Sequence, residues 1–243
     1  MRSLHIIMPM AGEGSRFLKE GWNTPKPLIK LNGKPLFLHA INSISIPNVP
    51  MKYSFIVRQE HIDKYYIDQG IEAILPEANI FSVLKTTRGA VETCLMAESV
   101  ISPDDAILVM DCDLEFRSEE FNRAILEILS MPAEKARGGI LVSFTSRDSR
   151  YSYAQTDASG NVIRTAEKEV ISDHALCGAY FFASGNGFVN AAHRLLNEPV
   201  FTKPEYYLSL LYNYLINDGD PVRLAILDEY YSYGTPEELK RYL

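Results

Sequence analysis

A glycine-rich loop followed by a lysine between two prolines is the first part of the sequence that could do chemistry. The small residues of the loop are Ala11, Gly12, Gly14 and Ser15. Such residues let backbone amides approach phosphate oxygens closely. Arg16 and Lys26 add positive charge, and the flanking prolines hold Lys26 in extended backbone. An anion-binding loop and a plain turn with two solvated cations both remain open on these residues alone.

Two common phosphate-binding patterns are excluded for this loop. The dinucleotide pattern G-x-G-x-x-G fails because Phe17 stands where its third glycine is needed. The Walker pattern fails because no G-K-[ST] follows. Any phosphate binding here must therefore use another arrangement.

A pair of acids follows a strongly apolar stretch in the middle of the chain. Asp111 and Asp113 come directly after residues Ala106–Met110, which read as a buried strand. Side chains alternate along an extended chain, so both carboxylates face the same side. Carboxylate oxygens at the carboxyl end of a parallel strand suit Mg²⁺. An acidic turn before a helix is the alternative, and the upstream loop favours the metal site.

The longer pattern around the loop resembles a known enzyme family. P-M-A-G-E-G-S-R-F is followed by P-K-P-L, with Lys26 ten residues after Arg16. This is similar to the signature of the nucleoside-triphosphate sugar-phosphate nucleotidylyltransferases. The resemblance implies that Ala11 and Gly12 face the nucleoside, with Gly14 and Ser15 in the same nucleotide-binding loop. It also implies that Arg16 grips the triphosphate, that Lys26 contacts the phosphates at the reacting centre, and that Asp111 binds the metal.

Further segments extend this resemblance over residues 6–240. Thr87 and Gly89 lie in a segment that resembles the one framing the base, although many members carry Gln just before this glycine. Lys168 stands in an E-K motif whose lysine binds the acceptor phosphate in the family. Its charge alone would favour a solvated ion pair, but its position in the pattern favours the acceptor. Gly178 matches a glycine that leaves room for the acceptor.

One departure from the family pattern concerns the metal. Members often carry a second metal-binding aspartate two residues before a G-T-P, and Ser232 stands at that place here. Either Asp113 supplies the second carboxylate or one metal is held more loosely, and Asp228 is a less favoured substitute. The stretches 152–154, 165–182 and 206–213 are similar to a capsule-associated branch of the family.

The resemblance implies nucleotidyl transfer, with Arg16, Lys26 and Lys168 as the catalytic cations and Mg²⁺ as the cofactor. An acceptor phosphate attacks the α-phosphorus of a nucleoside triphosphate and pyrophosphate leaves. The acceptor is a phosphorylated sugar or small phospho-alcohol, and CTP or another pyrimidine triphosphate is the expected donor. A metal-dependent glycosyltransferase using a nucleotide-sugar would share the acidic pair but has no need of the Arg16 and Lys26 loop. A catalytically weak nucleotide-binding regulator is the second alternative, raised by Ser232.

The elements that must position these residues alternate between strand and helix. The sequence predicts an α/β fold, a three-layer Rossmann-like arrangement around a mixed, mostly parallel sheet in a single domain over residues 1–243. A nucleotide-binding half covers about residues 1–130, and a strand-rich acceptor-binding half covers about 131–243. Strands are predicted at 4–10, 52–58 and 106–110 among others. Helices are predicted at 35–45, 60–75, 90–100, 118–129 and 205–217, and after the cap Thr235.

The composition of the 243 residues limits the partners. Lysine and arginine number 24 against 31 aspartate and glutamate, giving a net charge of −7, which disfavours nucleic acid as a partner. No stretch approaches the roughly 18 apolar residues of a membrane span. The three cysteines are few and not at metal spacings, so the cytoplasm is the expected compartment. The sequence leaves assembly into a homo-oligomer open.

Overall fold

A mixed sheet of nine strands forms the centre of the protein. The computed structural model describes residues 2–44, 46–198 and 204–243. Its strands are β1 (Leu4–Met10), β2 (Lys30–Leu31), β3 (Lys34–Pro35), β4 (Met51–Arg58), β5 (Asn79–Val83), β6 (Ala106–Met110), β7 (Leu114–Arg117), β8 (Gly139–Thr145), β9 (Ser152–Thr156), β10 (Val162–Glu167), β11 (His174–Phe182), β12 (Val222–Ile226) and β13 (Glu229–Ser232). Its helices are α1 (Ser15–Lys19), α2 (Leu36–Asn42), α3 (Gln59–Tyr65), α4 (Ile67–Glu72), α5 (Ala90–Leu95), α6 (Glu119–Ser130), α7 (Gly185–Leu196), α8 (Leu211–Asn217) and α9 (Pro236–Leu239).

The sheet joins a parallel first half to a largely antiparallel second half. Its main path runs β10-β9-β11-β6-β1-β4-β5, and β8 pairs with both β11 and β12. β6, β1, β4 and β5 are parallel neighbours. β11 lies antiparallel to β6 and so joins the strand-rich second half of the chain to the parallel first half. The predicted α/β fold with a mixed sheet is confirmed.

Alternation along the central strands separates two apolar layers. In β1, Leu4, Ile6 and Met8 belong to one buried cluster, which also contains Phe121 of α6. Ile7 faces the other cluster, which contains Phe188 of α7 and residues of α5 and α8. Because side chains of a strand point alternately to its two faces, each face of the sheet is covered by helices. This gives the predicted three layers.

Several predicted elements are confirmed, and others have different limits. β1 and β6 match their predicted bounds, and α6 begins after the predicted cap Ser118, whose hydroxyl accepts a hydrogen bond from the Phe121 amide at 3.2 Å. The predicted capping box of Thr235 and Glu238 is present. The predicted helix 35–45 is shorter, Leu36–Asn42, and Ser45 lies outside the described residues.

Other predicted helices were wrong in extent for physical reasons. The segment 60–75 is broken at Tyr66, whose φ of 52° cannot continue a helix. The segment 205–217 becomes helical only from Leu208, because the backbone of Tyr206 instead bonds with the backbones of Arg88 and Val91. The sequence did not predict α7, which opens with two glycines and an asparagine of low helix propensity. Packing of its apolar face on the sheet stabilises it.

Two short strands that the sequence did not predict also frame the site. β7 follows the acidic pair, and β13 precedes residues 233–235. The two strands pair antiparallel. None of the helices in the described ranges has the length and apolar character needed to cross a bilayer.

Candidate active site

The carboxyl end of the parallel strands meets the second half of the chain in a cleft of about 290 Å³, here called the main cleft. Five residues singled out from the sequence line it: Arg16, Lys26, Asp111, Asp113 and Gly178. They come from the loop after β1, the segment before β2, the end of β6 and the middle of β11. The sheet topology thus brings together residues far apart in sequence, at the edge where α/β proteins bind ligands.

The glycine-rich loop borders an adjoining cleft of about 280 Å³, here called the loop cleft. Gly12 and Gly14 line it together with Lys26, Asp111 and Asp113. Gly14 has a left-handed φ of 63°, and its carbonyl accepts the amides of Phe17 and Leu18, which starts α1 at Ser15. Ala11 is buried at the base of the loop. Lys26 and the two aspartates therefore separate two connected clefts.

Lys26 is ion-paired with Asp113. Its ammonium donates to Asp113 Oδ2 and lies 5.7 Å from the centre of the Phe17 ring. Burial alone would lower the pKa of Lys26, but the Asp113 carboxylate raises it above its ordinary value. Lys26 is therefore a fixed positive charge at the junction of the two clefts.

Asp111 lies deeper than Asp113. Burial, reinforced by the Asp113 carboxylate, raises the pKa of Asp111 to about 7, although Lys26 opposes the shift. Its amide donates to the Gly178 carbonyl at 2.9 Å. A Cβ at position 178 would lie 2.5 Å from Asp111 Oδ2, and the φ of Gly178 is +98°. Only glycine leaves this carboxylate in place.

The donor set around Asp111 fits a hard divalent cation. The two carboxylates supply hard oxygens, and the glycine at 178 leaves open the space that a side chain would fill. Among residues 2–44, 46–198 and 204–243, no group of three or more His, Cys, Asp or Glu side chains could hold a metal. Mg²⁺ commonly completes its octahedral shell with phosphate oxygens and water, so two protein carboxylates suffice.

The two candidates for a second metal carboxylate, Asp113 and Asp228, lie in different surroundings. The hydroxyl of Ser232 donates to Glu238 Oε2 at 2.9 Å, and both lie beside Gly234 close to the Asp113 carboxylate. Asp228 instead accepts the Glu119 amide at 2.9 Å at the start of α6 and lies 3.6 Å from Arg117. Asp113 is therefore the better placed of the two alternatives.

Of the predicted site residues outside the glycine-rich loop, Lys168, Thr87 and Gly89 line neither the main cleft nor the loop cleft. Lys168 is exposed. Its ammonium donates to the Tyr207 hydroxyl at 2.9 Å and its amide donates to the Tyr151 carbonyl at 3.1 Å, and both tyrosines line the cleft. The Thr87 hydroxyl bonds with that of Thr93 at 2.6 Å. Gly89, with φ +143°, makes room for the Tyr206 backbone, because a Cβ there would lie 2.5 Å from the Tyr206 nitrogen.

Several residues that sequence reasoning did not assign also line the main cleft. Glu167 is buried and accepts the hydroxyls of Ser152 and Ser209. Arg150 pairs with Glu238 at 2.5 Å. The E-K motif marks Glu167, and the capping pattern marks Glu238, but no local pattern marks Arg150.

Arg58 was also missed. It is the last residue of β4, and its Nη1 donates to the Ala11 carbonyl at 3.3 Å and to Thr86 Oγ1 at 3.2 Å. The Thr86 hydroxyl lies 2.9 Å from Glu13 Oε1. Its place at the carboxyl end of a predicted parallel strand was the signal available in the sequence.

The sequence and the fold of this chain are similar to those of known proteins. The model of the nucleotidyl transfer family, described as "Nucleotidyl transferase", matches residues 5–217. The bifunctional protein GlmU of Methanococcus vannielii is 32% identical over 130 residues, which cover 52% of this chain and 27% of GlmU. The 2-C-methyl-D-erythritol 4-phosphate cytidylyltransferase of Chromobacterium violaceum is 31% identical over 106 residues, 43% of this chain and 44% of that enzyme. The chain thus matches less than half the length of either curated relative.

A solved structure matches the whole fold. The nucleoside-diphosphate-sugar pyrophosphorylase of Vibrio cholerae RC9 superposes with a TM-score of 0.84 at 26% identity, covering 98% of this chain and 99% of that one.

Proposed function

The chain belongs to the nucleotidyl transferase family, and we propose that it transfers a nucleotidyl group from a nucleoside triphosphate to a phosphorylated sugar or small phospho-alcohol, releasing pyrophosphate. The convergence of Lys26, Asp111 and Asp113 between the loop cleft and the main cleft is the observation that carries this proposal. Two phosphate-bearing substrates can approach these residues from two sides. That is the arrangement a transfer between two polyanions requires.

The residues present supply charge and position rather than a base. The acceptor phosphate is already an anionic nucleophile, so the step that breaks the α–β phosphate bond needs alignment and charge neutralisation. Lys26 and Arg16 neutralise the phosphates at the junction of the clefts, and Lys168 is proposed to attract the acceptor phosphate at the rim. Asp111 and Asp113 would hold Mg²⁺, which when bound neutralises the phosphate oxygens of the donor.

The donor is proposed to be CTP, or another pyrimidine triphosphate. The Chromobacterium violaceum relative is named as a cytidylyltransferase, although it matches only part of this chain. The product is proposed to serve surface or capsular polysaccharide synthesis in the cytoplasm, as the sequence resemblance implies. The nucleotide-binding roles of Ala11, Gly12, Gly14, Ser15, Thr87 and Gly89 remain proposals, as does the acceptor role of Gly178.

Pyrophosphate release tests the proposal directly. The purified protein would be incubated with Mg²⁺, each of the four ribonucleoside triphosphates, and a panel of phosphorylated sugars, polyols and small phospho-alcohols. We expect pyrophosphate to form only when triphosphate, acceptor and metal are all present. Release of a nucleoside diphosphate from a nucleotide-sugar would instead identify a glycosyltransferase. The absence of turnover with every pair, combined with triphosphate binding, would favour a regulatory nucleotide-binding protein.

A further inference from the structure

A small polar cluster crosses the ends of three adjacent parallel strands. β4 lies between β1 and β5, and the cluster takes Arg58 from the end of β4, Ala11 from beyond β1 and Thr86 from beyond β5. Arg58 Nη1 donates to the Ala11 carbonyl at 3.3 Å and to the Thr86 hydroxyl at 3.2 Å. Thr86 in turn donates to Glu13 at 2.9 Å. The Thr86 hydroxyl thus bridges the Arg58 guanidinium and the Glu13 carboxylate beside the glycine-rich loop.

The next two residues, Thr87 and Arg88, use their side chains for contacts with the first turn of α5. The Arg88 guanidinium lies 2.9 Å from Glu92 and 5.0 Å from the centre of the Tyr206 ring. The Thr87 hydroxyl bonds with Thr93. Of the three residues that stand before Gly89, Thr86 is therefore the one whose side chain contacts the glycine-rich loop, through Glu13.

Space for a planar ring lies next to this cluster. Arg58 and Glu13 line a cleft of about 240 Å³, together with the aromatic side chains of His61 and Tyr65. His61 is 8% exposed, and its Nδ1 has no hydrogen-bond partner within the described part of the chain. The Tyr65 hydroxyl donates to the Asn23 carbonyl at 2.7 Å, which fixes this wall of the cleft to the segment before Lys26.

We propose that Arg58, supported by Thr86 and Glu13, reads the base of the donor and selects cytosine over uracil. This inference rests on the proposed function. A guanidinium only donates hydrogen bonds, and a carboxylate only accepts them. Cytosine presents the adjacent acceptors O2 and N3 beside its N4 amino donor, which match Arg58 and Glu13 in that order.

The pair discriminates between the two pyrimidines. Uracil places its N3–H donor where cytosine presents the N3 acceptor, so this donor faces the guanidinium. Guanine presents the adjacent acceptors N7 and O6 followed by its N1–H donor, so hydrogen bonds at this pair distinguish cytosine from uracil and not from guanine. A buried or half-buried donor that faces another donor loses its water without gaining a partner, and sites that discriminate through hydrogen bonds are therefore selective.

Binding measurements on variants test the assignment. Calorimetric titration of the full chain with Mg²⁺ and CTP or UTP should give CTP a preference of about tenfold or more. Arg58→Met should weaken CTP binding about tenfold and leave UTP binding nearly unchanged, so the preference disappears. Arg58→Lys keeps the charge but not the planar fork, and it should also lose the preference. Lys85→Met removes an exposed charge one residue from Thr86, and this control variant should keep the preference for CTP.

The possible results separate the inference from the proposed function. Retention of the wild-type preference by Arg58→Met or Arg58→Lys overturns the assignment. So does a wild-type protein that releases pyrophosphate but does not prefer CTP to UTP, and in that case the proposed function stands. If the wild type neither binds nor turns over any triphosphate, the proposed function fails and the inference with it. If Arg58→Met does not fold, Thr86→Val and Glu13→Gln decide, since either should reduce the preference for CTP.

Discussion

Gly178 of β11 lies directly against the carboxylate of Asp111 at the end of β6. The Asp111 amide donates to the Gly178 carbonyl at 2.9 Å, and a Cβ on residue 178 would lie 2.5 Å from Asp111 Oδ2. The register of β11 on its neighbour β8 shifts between Leu176 and Tyr180, where this glycine adopts a φ of 98°. The irregular strand β11 therefore fixes the Asp111 carboxylate of the candidate active site.

We expect Gly178→Ala to impair turnover more than folding. The added methyl group must displace Asp111 or β11, and the positive φ adds strain of about 1–3 kcal/mol. Gly160→Ala is the matched control, because Gly160 has a φ of 84° but nothing within 4 Å of the added Cβ. Urea unfolding and pyrophosphate release would be measured for both. Equal turnover in the two variants would contradict the role of close contact at residue 178.

Lys26→Met should lower turnover by about 10²–10³, since a lost charge contact at a transition state costs about 3–4 kcal/mol. The fold should persist, because the Asp113 side chain is 19% exposed and water can solvate its carboxylate when the lysine is removed. Lys34→Met removes an exposed lysine of β3 and serves as the control. Turnover of Lys26→Met close to that of Lys34→Met would remove Lys26 from the reacting centre.

The acidic pair should carry the metal dependence. Asp111→Asn and Asp113→Asn are each expected to abolish turnover at ordinary Mg²⁺, and Asp111→Asn should not lower the free energy of unfolding, because it relieves repulsion between carboxylates. Metal binding would be measured by titrating Mn²⁺ in the presence of nucleotide.

Asp228→Ala is the control for this pair. It removes an acceptor at the start of α6 and should cost less than about 1 kcal/mol of stability with turnover intact. A mild effect of Asp113→Asn together with a severe effect of Asp228→Ala would reverse the assignment of the second carboxylate.

Lys168→Met should raise the KM for the acceptor and leave the KM for the triphosphate unchanged. Lys168 lies at the rim, where its ammonium bonds with Tyr207, one of the residues that line the main cleft. Arg164→Met, which removes an exposed arginine paired with Glu169 on the same segment, is the control. Equal acceptor KM values for the wild type and Lys168→Met would place the acceptor phosphate elsewhere.

Structural features that depend on neighbouring residues could be predicted from the sequence. The strands at Leu4–Met10 and Ala106–Met110 follow from continuous apolar runs, and the capping box at Thr235 follows from residues three positions apart. The loop, the acidic pair and their meeting at one edge follow from the βαβ alternation. These features depend on neighbouring residues or on a general rule of sheet topology.

The rest depends on contacts that no local pattern encodes. Arg150 and Glu238 pair across the main cleft, and β7 pairs with β13, because the sheet brings distant segments together. Arg58 lies in an apolar strand, and only the pairing of β4 between β1 and β5 places it beside Ala11 and Thr86. The polar contacts that define specificity are therefore the part that required the structure.

His5 should make the protein less stable in acid. It is fully buried in β1, with Nε2 2.8 Å from Ser54 Oγ, and burial lowers its pKa to about 4. The unfolded chain holds this group near its ordinary pKa of about 6.5. The folded state therefore favours neutral His5, and its contribution to stability is present above about pH 6.5 and lost as the pH falls toward 4.

The pH dependence of unfolding in wild-type and His5→Gln proteins checks this. At 1.36 kcal/mol for each pKa unit, the wild type should lose about 3 kcal/mol more than His5→Gln between pH 7 and pH 4. Ser54→Ala removes the hydrogen-bond partner but leaves the histidine buried, so it should lower stability at neutral pH and keep most of the wild-type slope. Parallel curves for the wild type and His5→Gln would show that acid destabilisation comes from other groups. If Ser54→Ala loses the dependence of unfolding free energy on pH, the acid sensitivity comes from the hydrogen bond and not from burial.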